Sequence, residues 1–89
     1  MGEDTAFNLG IMWGKAVAKV AVNRNPDDII GEACSLDERL RGKESFMKFR
    51  RLVNRIEGGW GDFNDGVGEG IREYMSRLER ISESRYVSR

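Results

Sequence analysis

The sequence predicts an all-α fold, a compact bundle of four to five helices in a single domain spanning residues 1–89. Apolar residues recur at spacings of three and four along several stretches, as they do on the inner faces of helices. No stretch shows the period-two alternation that is typical of strands. Because 89 residues suffice for one domain with one modest core, a single bundle is expected.

The first helix is expected to start from an N-cap at Asp4 or Thr5 and to run to about Val22. Almost every position in it is apolar, and its polar residues form a narrow stripe of Asn8, Lys15 and Lys19. A helix that is apolar nearly all round is normally buried on several sides. We therefore expect this helix in the middle of the bundle, packed against the other helices or against a partner.

The middle of the chain is expected to hold shorter helices. A first one follows the break at "NRNPDD". Ser35 and Glu38 fit a capping box, which predicts that a new helix starts there and runs to about Ile56. Gly42 is the expected position of a break within that helix.

The last helix is expected to be capped by Asp62 or Asp65 and to run to about Ser84, with residues 85–89 as a frayed tail. Its inner seam alternates spacings of four and three, as in helical bundles. The residues of this seam are Val67, Ile71, Tyr74, Leu78 and Ile81.

Two copies of the pattern Phe-Asn-x-Gly-x-x-x-Gly stand near the two ends of the chain, as "FNLGIMWG" and "FNDGVGEG". A glycine inside a helix costs about 1 kcal/mol relative to alanine, and close approach of a second helix is the natural compensation. We therefore expect the first and last helices to cross at these glycines, with Phe7 and Phe63 at matching ends. The residues expected at the contact are Ala6, Gly10, Gly14 and Ala18 in the first helix and Gly66 and Gly70 in the last. The alternative is that the second copy is a flexible loop and that the last helix begins only after Gly70.

Composition argues against an enzyme or a metal site. The chain has no histidine, the commonest general base and metal ligand, and its single cysteine, Cys34, is expected in the core. The carboxylates of Asp37 and Glu38 stand at an expected helix start, where capping explains them. We expect no catalytic residues, no metal site and no cofactor, with a weak cation site over residues 62–69 as the remaining alternative.

Charge and hydropathy favour a cytoplasmic protein without membrane contact. Basic and acidic residues balance at 15 each. The start "MGEDTAF" is acidic, unlike a secretory leader. The apolar stretch 9–22 is interrupted by lysines and is shorter than the roughly 20 residues that span a bilayer.

The only basic island lies in the middle of the chain, where residues 35–56 hold seven basic and three acidic side chains. The guanidinium fork of arginine suits phosphate, and several such groups on a helix can follow a nucleic-acid backbone. The residues predicted to bind nucleic acid are Arg39, Arg41, Lys43, Lys48, Arg50, Arg51 and Arg55. The alternative is a solvated face that makes salt bridges to the acidic flanks. Trp60 also has two interpretations, either as a plug at one end of the bundle or as the anchor that binds a partner.

Three segments together resemble the small helical subunit of multi-subunit CRISPR surveillance complexes. They are "FNLGIMWGKAVAKV" opening the bundle, "FMKFRRLVNRI" as a basic middle helix and "FNDGVGEGIREYM" closing it. The resemblance implies a compact helical bundle whose copies stack along a crRNA–target filament in antiviral defence. It also implies nucleic-acid backbone contacts for Lys48, Arg50, Arg51 and Arg55. The chain differs from that family in being short and in lacking net positive charge.

The sequence thus predicts a non-enzymatic helical subunit of a larger nucleoprotein assembly. Its partners would be other protein subunits or further copies of the chain, together with single-stranded RNA or DNA. The alternative is a small protein-binding regulator or inhibitor, phage- or plasmid-borne, that makes no nucleic-acid contact. The two hypotheses differ in salt dependence, because phosphate binding weakens steeply as salt rises and an apolar protein interface does not.

Overall fold

The computed structural model describes the backbone of residues 2–87 and the side chains of residues 5–80. Residues 2–87 form four α-helices and, within that range, no strand: α1 (Gly2–Arg24), α2 (Ile29–Leu40), α3 (Glu44–Asn54) and α4 (Gly59–Val87). The predicted all-α bundle of four to five helices is confirmed. The molecule measures 50 × 28 × 16 Å, and a thickness of 16 Å leaves room for two layers of helices.

α1 packs most extensively against α4 and also contacts α2 and α3, so it lies at the centre of the bundle as expected. Its buried side chains are Ala6, Trp13, Val17, Ala18 and Ala21. The expectation of burial on several sides is only partly met, because Met12 is 60% exposed and Val20 is 44% exposed. Two layers of helices leave one side of α1 uncovered.

α2 begins directly after the "NRNPDD" break and extends through the predicted cap at Ser35. Asp28 is the N-cap, and its carboxylate accepts a hydrogen bond of 3.1 Å from the backbone N–H of Gly31. The capping box predicted at Ser35 and Glu38 is wrong, since both residues lie inside the continuous α2 with exposed side chains. The break expected near Gly42 is confirmed, because that residue lies between α2 and α3.

Cys34 does not lie in the core as expected, because its side chain is exposed. The neighbouring Ala33 is fully buried. At 3.6 residues per turn, one step along a helix turns the side chain by about 100°. The neighbour of a buried residue therefore readily faces water.

α3 turns its aromatic residues into the bundle. Phe46 and Val53 are buried, and Phe49 is half-buried. The ring centroid of Phe46 lies 4.8 Å from that of Trp13 in α1 and 5.7 Å from that of Phe63 in α4. This aromatic cluster holds α3 against the N-terminal halves of α1 and α4.

α4 begins at Gly59, earlier than the predicted caps at Asp62 or Asp65. Gly58 has a left-handed backbone conformation, with φ at 68°, which lets the chain turn sharply into the helix. The glycines of the second motif copy all lie within α4. The alternative in which the helix begins only after Gly70 is therefore wrong.

The C-terminal part of α4 also differs from the prediction. The inner seam is buried or half-buried as far as side chains are described, at Val67, Ile71, Tyr74 and Leu78. The side chain of Ile81 lies outside the described residues. The backbone is helical through Val87, whereas a frayed tail was expected over residues 85–89, and residues 88–89 lie outside the described part of the chain.

α1 and α4 cross at the glycines of the two motif copies. A methyl group built on Gly10 would lie 2.9 Å from the Cα atom of Gly66 and closer still to the carbonyl oxygen of Phe63. Conversely, a methyl group built on Gly66 would lie 3.0 Å from the Cα atom of Gly10 and closer still to the carbonyl oxygen of Phe7. Side chains larger than hydrogen have no room where two backbones approach this closely.

The second glycine of each motif extends this contact by one turn. Gly14 packs against the backbone of Val67, and Gly70 packs against the backbone of Ile11. Residues of α1 therefore meet residues of α4 in ascending order, so the two helices run parallel. Because the contacts are reciprocal, an approximate twofold axis relates the two motif copies. The parallel pair brings the start of α4 beside the first half of α1, where α3 docks.

Candidate nucleic-acid interface

The solvent side of α3 carries a group of cations. Residues 44–55 have a net charge of +3. Lys48, Arg51 and Arg55 follow one another at spacings of three and four, so they share one side of the helix. They line an open groove of about 760 Å³, which we call the cationic groove. Its other lining residues are Gly42, Glu44, Met47 and Leu52.

Several arginines outside α3 are paired with carboxylates. Arg24 and Arg39 both reach the carboxylate of Glu32, at 3.1 and 3.7 Å. Arg72 lies 3.8 Å from Glu69. Nine basic residues make no ion pair with any residue in the range 5–80, and five of them belong to α3 or its two caps. The five are Lys43, Lys48, Arg50, Arg51 and Arg55; the other four are Lys15, Lys19, Arg77 and Arg80. The salt bridges of the alternative interpretation are thus found at Arg39, whereas the cations of α3 are exposed to solvent and unpaired within residues 5–80.

The grouping of unpaired cations on α3 costs stability. Like charges at i,i+3 and i,i+4 on a helix repel by about 0.2–0.5 kcal/mol per pair. Lys48 with Arg51, and Arg51 with Arg55, are such pairs. A bound polyanion would remove this repulsion, so the cationic groove is suited to one.

Arg41 belongs to the predicted basic run, but it is held by the bundle itself. Its Nε donates to Oδ1 of Asp37 at 2.9 Å, and its Nη2 donates to Oδ2 at 3.1 Å. Its guanidinium carbon also lies 5.5 Å from the ring centroids of Phe46 and Phe63. The charge of Arg41 is therefore balanced within the protein, and its side chain fixes the end of α2 to the aromatic cluster.

Asp37 does not stand at a helix start, so capping does not explain it. It lies near the end of α2, where its Oδ1 also accepts a hydrogen bond of 2.6 Å from Nε1 of the buried Trp13. The i,i+4 spacing of Asp37 and Arg41 is typical of a helical ion pair. No signal in the sequence links Asp37 to Trp13, which is 24 positions away. We call these three residues the Trp13–Asp37–Arg41 cluster; it ties α1 to α2.

A second groove, of about 390 Å³, adjoins the cationic groove, and Gly42 lines both. Its other lining residues are Arg41, Phe46, Arg50 and Trp60. We call it the aromatic groove. The ring centroid of Trp60 lies 6.1 Å from that of Phe46 and 5.5 Å from that of Phe63. Trp60 is half-buried, so its ring both packs on the core and borders the groove.

The described part of the chain shows neither a cluster of metal-ligating side chains nor a membrane-spanning helix. Among those residues, no three acidic or cysteine side chains converge as metal ligands would. Residues 62–69, the alternative cation site, lie along α4. No helix in the described range has the length and apolar character of a bilayer-spanning segment.

Comparisons with known proteins find no match, either among protein-family models, among curated proteins or among solved structures. The resemblance to the small subunits of CRISPR surveillance complexes therefore stays a prediction. A functional proposal therefore depends on the exposed cations of α3 and the groove that they line.

Proposed function

We propose that the protein is a non-enzymatic helical subunit of a nucleoprotein assembly, which contacts nucleic-acid backbone through the cationic groove. The observation that supports this proposal is the set of cations on α3 that no carboxylate in the range 5–80 neutralises. Lys48, Arg51 and Arg55 would bind phosphates directly. Lys43 and Arg50, which are also exposed, would contribute from one flank of the helix. A place among the subunits of a surveillance complex, in antiviral defence, is part of the same proposal.

The geometry of α3 suits a strand that runs along the helix. Lys48 and Arg55 are seven positions apart, which is a rise of about 10 Å at 1.5 Å per residue. Arginine forks bind phosphate oxygens in pairs, and lysine acts as a point charge. Met47 and Leu52 are 37% and 39% exposed and give the same groove an apolar component. Such a surface binds any sequence with similar affinity, because phosphate contacts carry no base information.

Charge reversal at two of these positions tests the proposal. We expect the double variant Arg51→Glu/Arg55→Glu to bind a labelled single-stranded oligonucleotide at least about tenfold more weakly than the unaltered protein, because it removes two phosphate contacts and adds repulsion. For the unaltered protein, we expect affinity to fall steeply between low and physiological salt. The measurement is fluorescence anisotropy over a salt series, with helical circular dichroism as the check on folding.

The matched control is Arg77→Glu/Arg80→Glu, which makes the same change of net charge at exposed positions of α4. We expect this variant to bind nearly as well as the unaltered protein. Equal losses in the two double variants would show that only total charge matters, and the assignment to α3 would then be wrong. Unchanged binding of the Arg51→Glu/Arg55→Glu variant would also show that the assignment to α3 is wrong.

The protein-binding regulator is the second candidate, and exposed apolar side chains favour it. Met12 and Val20 on α1 and Ile30 on α2 lie open to solvent among the described residues. A protein partner, or a second copy of the chain, would gain about 25 cal/mol for each Å² of such surface that it covers. Light scattering gives the mass of the protein in solution, and a complex that persists at high salt would support this candidate over the first.

A further inference from the structure

The aromatic groove places an ordered indole ring next to an unpaired cation. The groove is about 390 Å³ in volume, within the usual range for small-ligand sites. Trp60 and Phe46 form its aromatic side, and Arg50 and Arg41 supply its basic side. Gly42 lines both this groove and the cationic groove, so the two grooves adjoin at that residue.

Trp60 is fixed in position before any ligand binds. Its Nε1 donates a hydrogen bond of 2.9 Å to Oδ1 of Asn54. Its ring packs edge-on against Phe63, with an angle of 75° between the ring planes, and lies nearly parallel to Phe46, at 30°. A ring that is already ordered loses little side-chain entropy when another flat group stacks on it. This is the arrangement in which aromatic side chains accept unpaired bases.

The two arginines of the groove differ in what they can offer a ligand. Arg41 donates from Nε and Nη2 to the carboxylate of Asp37, at 2.9 and 3.1 Å, so its charge is already balanced by a counter-charge. Arg50 is exposed and makes no ion pair within residues 5–80. A phosphate in the aromatic groove would therefore be bound by Arg50.

We propose that the aromatic groove binds one unpaired base of a single-stranded nucleic acid, stacked against Trp60, with a neighbouring phosphate on Arg50. The strand continues past Gly42 onto Lys48, Arg51 and Arg55. This inference rests on the proposed function and narrows it from nucleic acid in general to single strands. A base inside a duplex is paired and stacked on its neighbours, so it is not free to stack on Trp60.

The test compares three labelled ligands of equal length at low salt: a single strand, the same strand with abasic sites throughout, and a duplex. Stacking on an aromatic side chain is worth roughly 5- to 150-fold in affinity per base. We therefore expect the base-bearing single strand to bind about tenfold or more tightly than the abasic strand. We also expect it to quench the intrinsic fluorescence of Trp60. The other tryptophan of the chain, Trp13, is only 5% exposed and is not expected to respond.

Variants separate the base contact from the phosphate contact. Trp60→Leu is expected to bind the base-bearing and abasic strands equally, and Trp60→Phe is expected to restore part of the difference and to keep the core packed. Arg50→Gln is expected to weaken binding of both strands by the same factor. Arg77→Gln removes one positive charge from a groove on another part of the surface and is expected to bind like the unaltered protein.

The outcomes distinguish this inference from the proposed function. If the abasic strand binds as tightly as the base-bearing strand, or the duplex binds best, the base site is wrong while the backbone interface stands. Quenching that persists in Trp60→Phe would come from Trp13 and would also overturn the base site. If none of the three ligands binds at low salt, the proposed function fails, and the base site fails with it.

Discussion

Replacing Gly66 by alanine is expected to lower the free energy of unfolding by about 3 kcal/mol or more. That is a large part of the roughly 5–15 kcal/mol that stabilises a small domain. The added methyl group would lie 3.0 Å from the Cα atom of Gly10 and closer still to the carbonyl oxygen of Phe7. Both obstacles are backbone atoms, so no side-chain rotation relieves the collision and the two helices must separate. Overpacking a core costs about 1–3 kcal/mol where side chains can adjust, and we expect more where they cannot.

Gly68→Ala is the matched control, two residues further along the same helix. A methyl group there meets no atom within 4 Å. Replacing a helical glycine by alanine without a collision stabilises a helix by roughly 0.5–1 kcal/mol. Urea unfolding followed by circular dichroism is therefore expected to move the midpoint in opposite directions for the two variants. A Gly66→Ala protein as stable as the unaltered one would contradict the close crossing of α1 and α4.

Replacing Asp37 by alanine is expected to cost about 2–3 kcal/mol of stability. The carboxylate accepts hydrogen bonds from Trp13 at 2.6 Å and from Arg41 at 2.9 and 3.1 Å. Its removal leaves the N–H of a buried indole without its partner and a half-buried guanidinium without its counter-charge. Hydrogen bonds to charged groups contribute about 1.5–3 kcal/mol, and an orphaned buried donor costs about 1–3 kcal/mol.

Two further variants separate these contributions. Asp37→Asn keeps an oxygen that can accept from Trp13 and loses the ion pair with Arg41, so we expect an intermediate loss. Glu38→Ala removes the adjacent, exposed carboxylate of α2 and is expected to change stability by less than about 0.5 kcal/mol. The measurement is again urea unfolding. Equal effects of Asp37→Ala and Glu38→Ala would show that the Trp13–Asp37–Arg41 cluster contributes nothing.

The glycine contact could be predicted from the sequence because it depends on a local, repeated pattern. Spacing by four residues places Gly10 with Gly14, and Gly66 with Gly70, on one edge of a helix each. In a chain of 89 residues, the simplest way to offset the helix-propensity cost of these glycines is for the two glycine-bearing edges to pack against each other. The motif is directional, and its two copies predicted Phe7 and Phe63 at matching ends of the crossing, as the parallel pair of α1 and α4 has them.

The helix boundaries were harder to predict, because several residues fit the same role. Ser35 has a side chain suited to an N-cap, but Asp28 is the N-cap of α2 and Ser35 lies inside that helix. The start of α4 lies at Gly59 because Gly58 can adopt a positive φ, and a carboxylate cap is not used there. Capping residues favour a helix start without requiring one.

The candidate site was only partly predictable. Helical spacing correctly groups Lys48, Arg51 and Arg55 on one side of α3, since spacing is a local property. Whether a given cation is paired depends on which helix lies beside it. Arg39 pairs with Glu32 of its own helix, a carboxylate that Arg24 at the end of α1 shares, and Arg41 lies over the ring of Phe63 in α4. The sequence does not show which of several nearby carboxylates a cation reaches, and it carries no sign of the distant contact with Phe63.

The most direct test of the central claim, that the cations of α3 bind a single strand, is an NMR titration of the ¹⁵N-labelled chain with a short single-stranded oligonucleotide at low salt. We expect the amide signals of residues 42–56 and the indole N–H of Trp60 to shift. We expect the amides of Met12, Val20 and Ile30 to stay in place. Shifts centred on those three exposed apolar residues, or no shift anywhere at saturating oligonucleotide, would contradict the account.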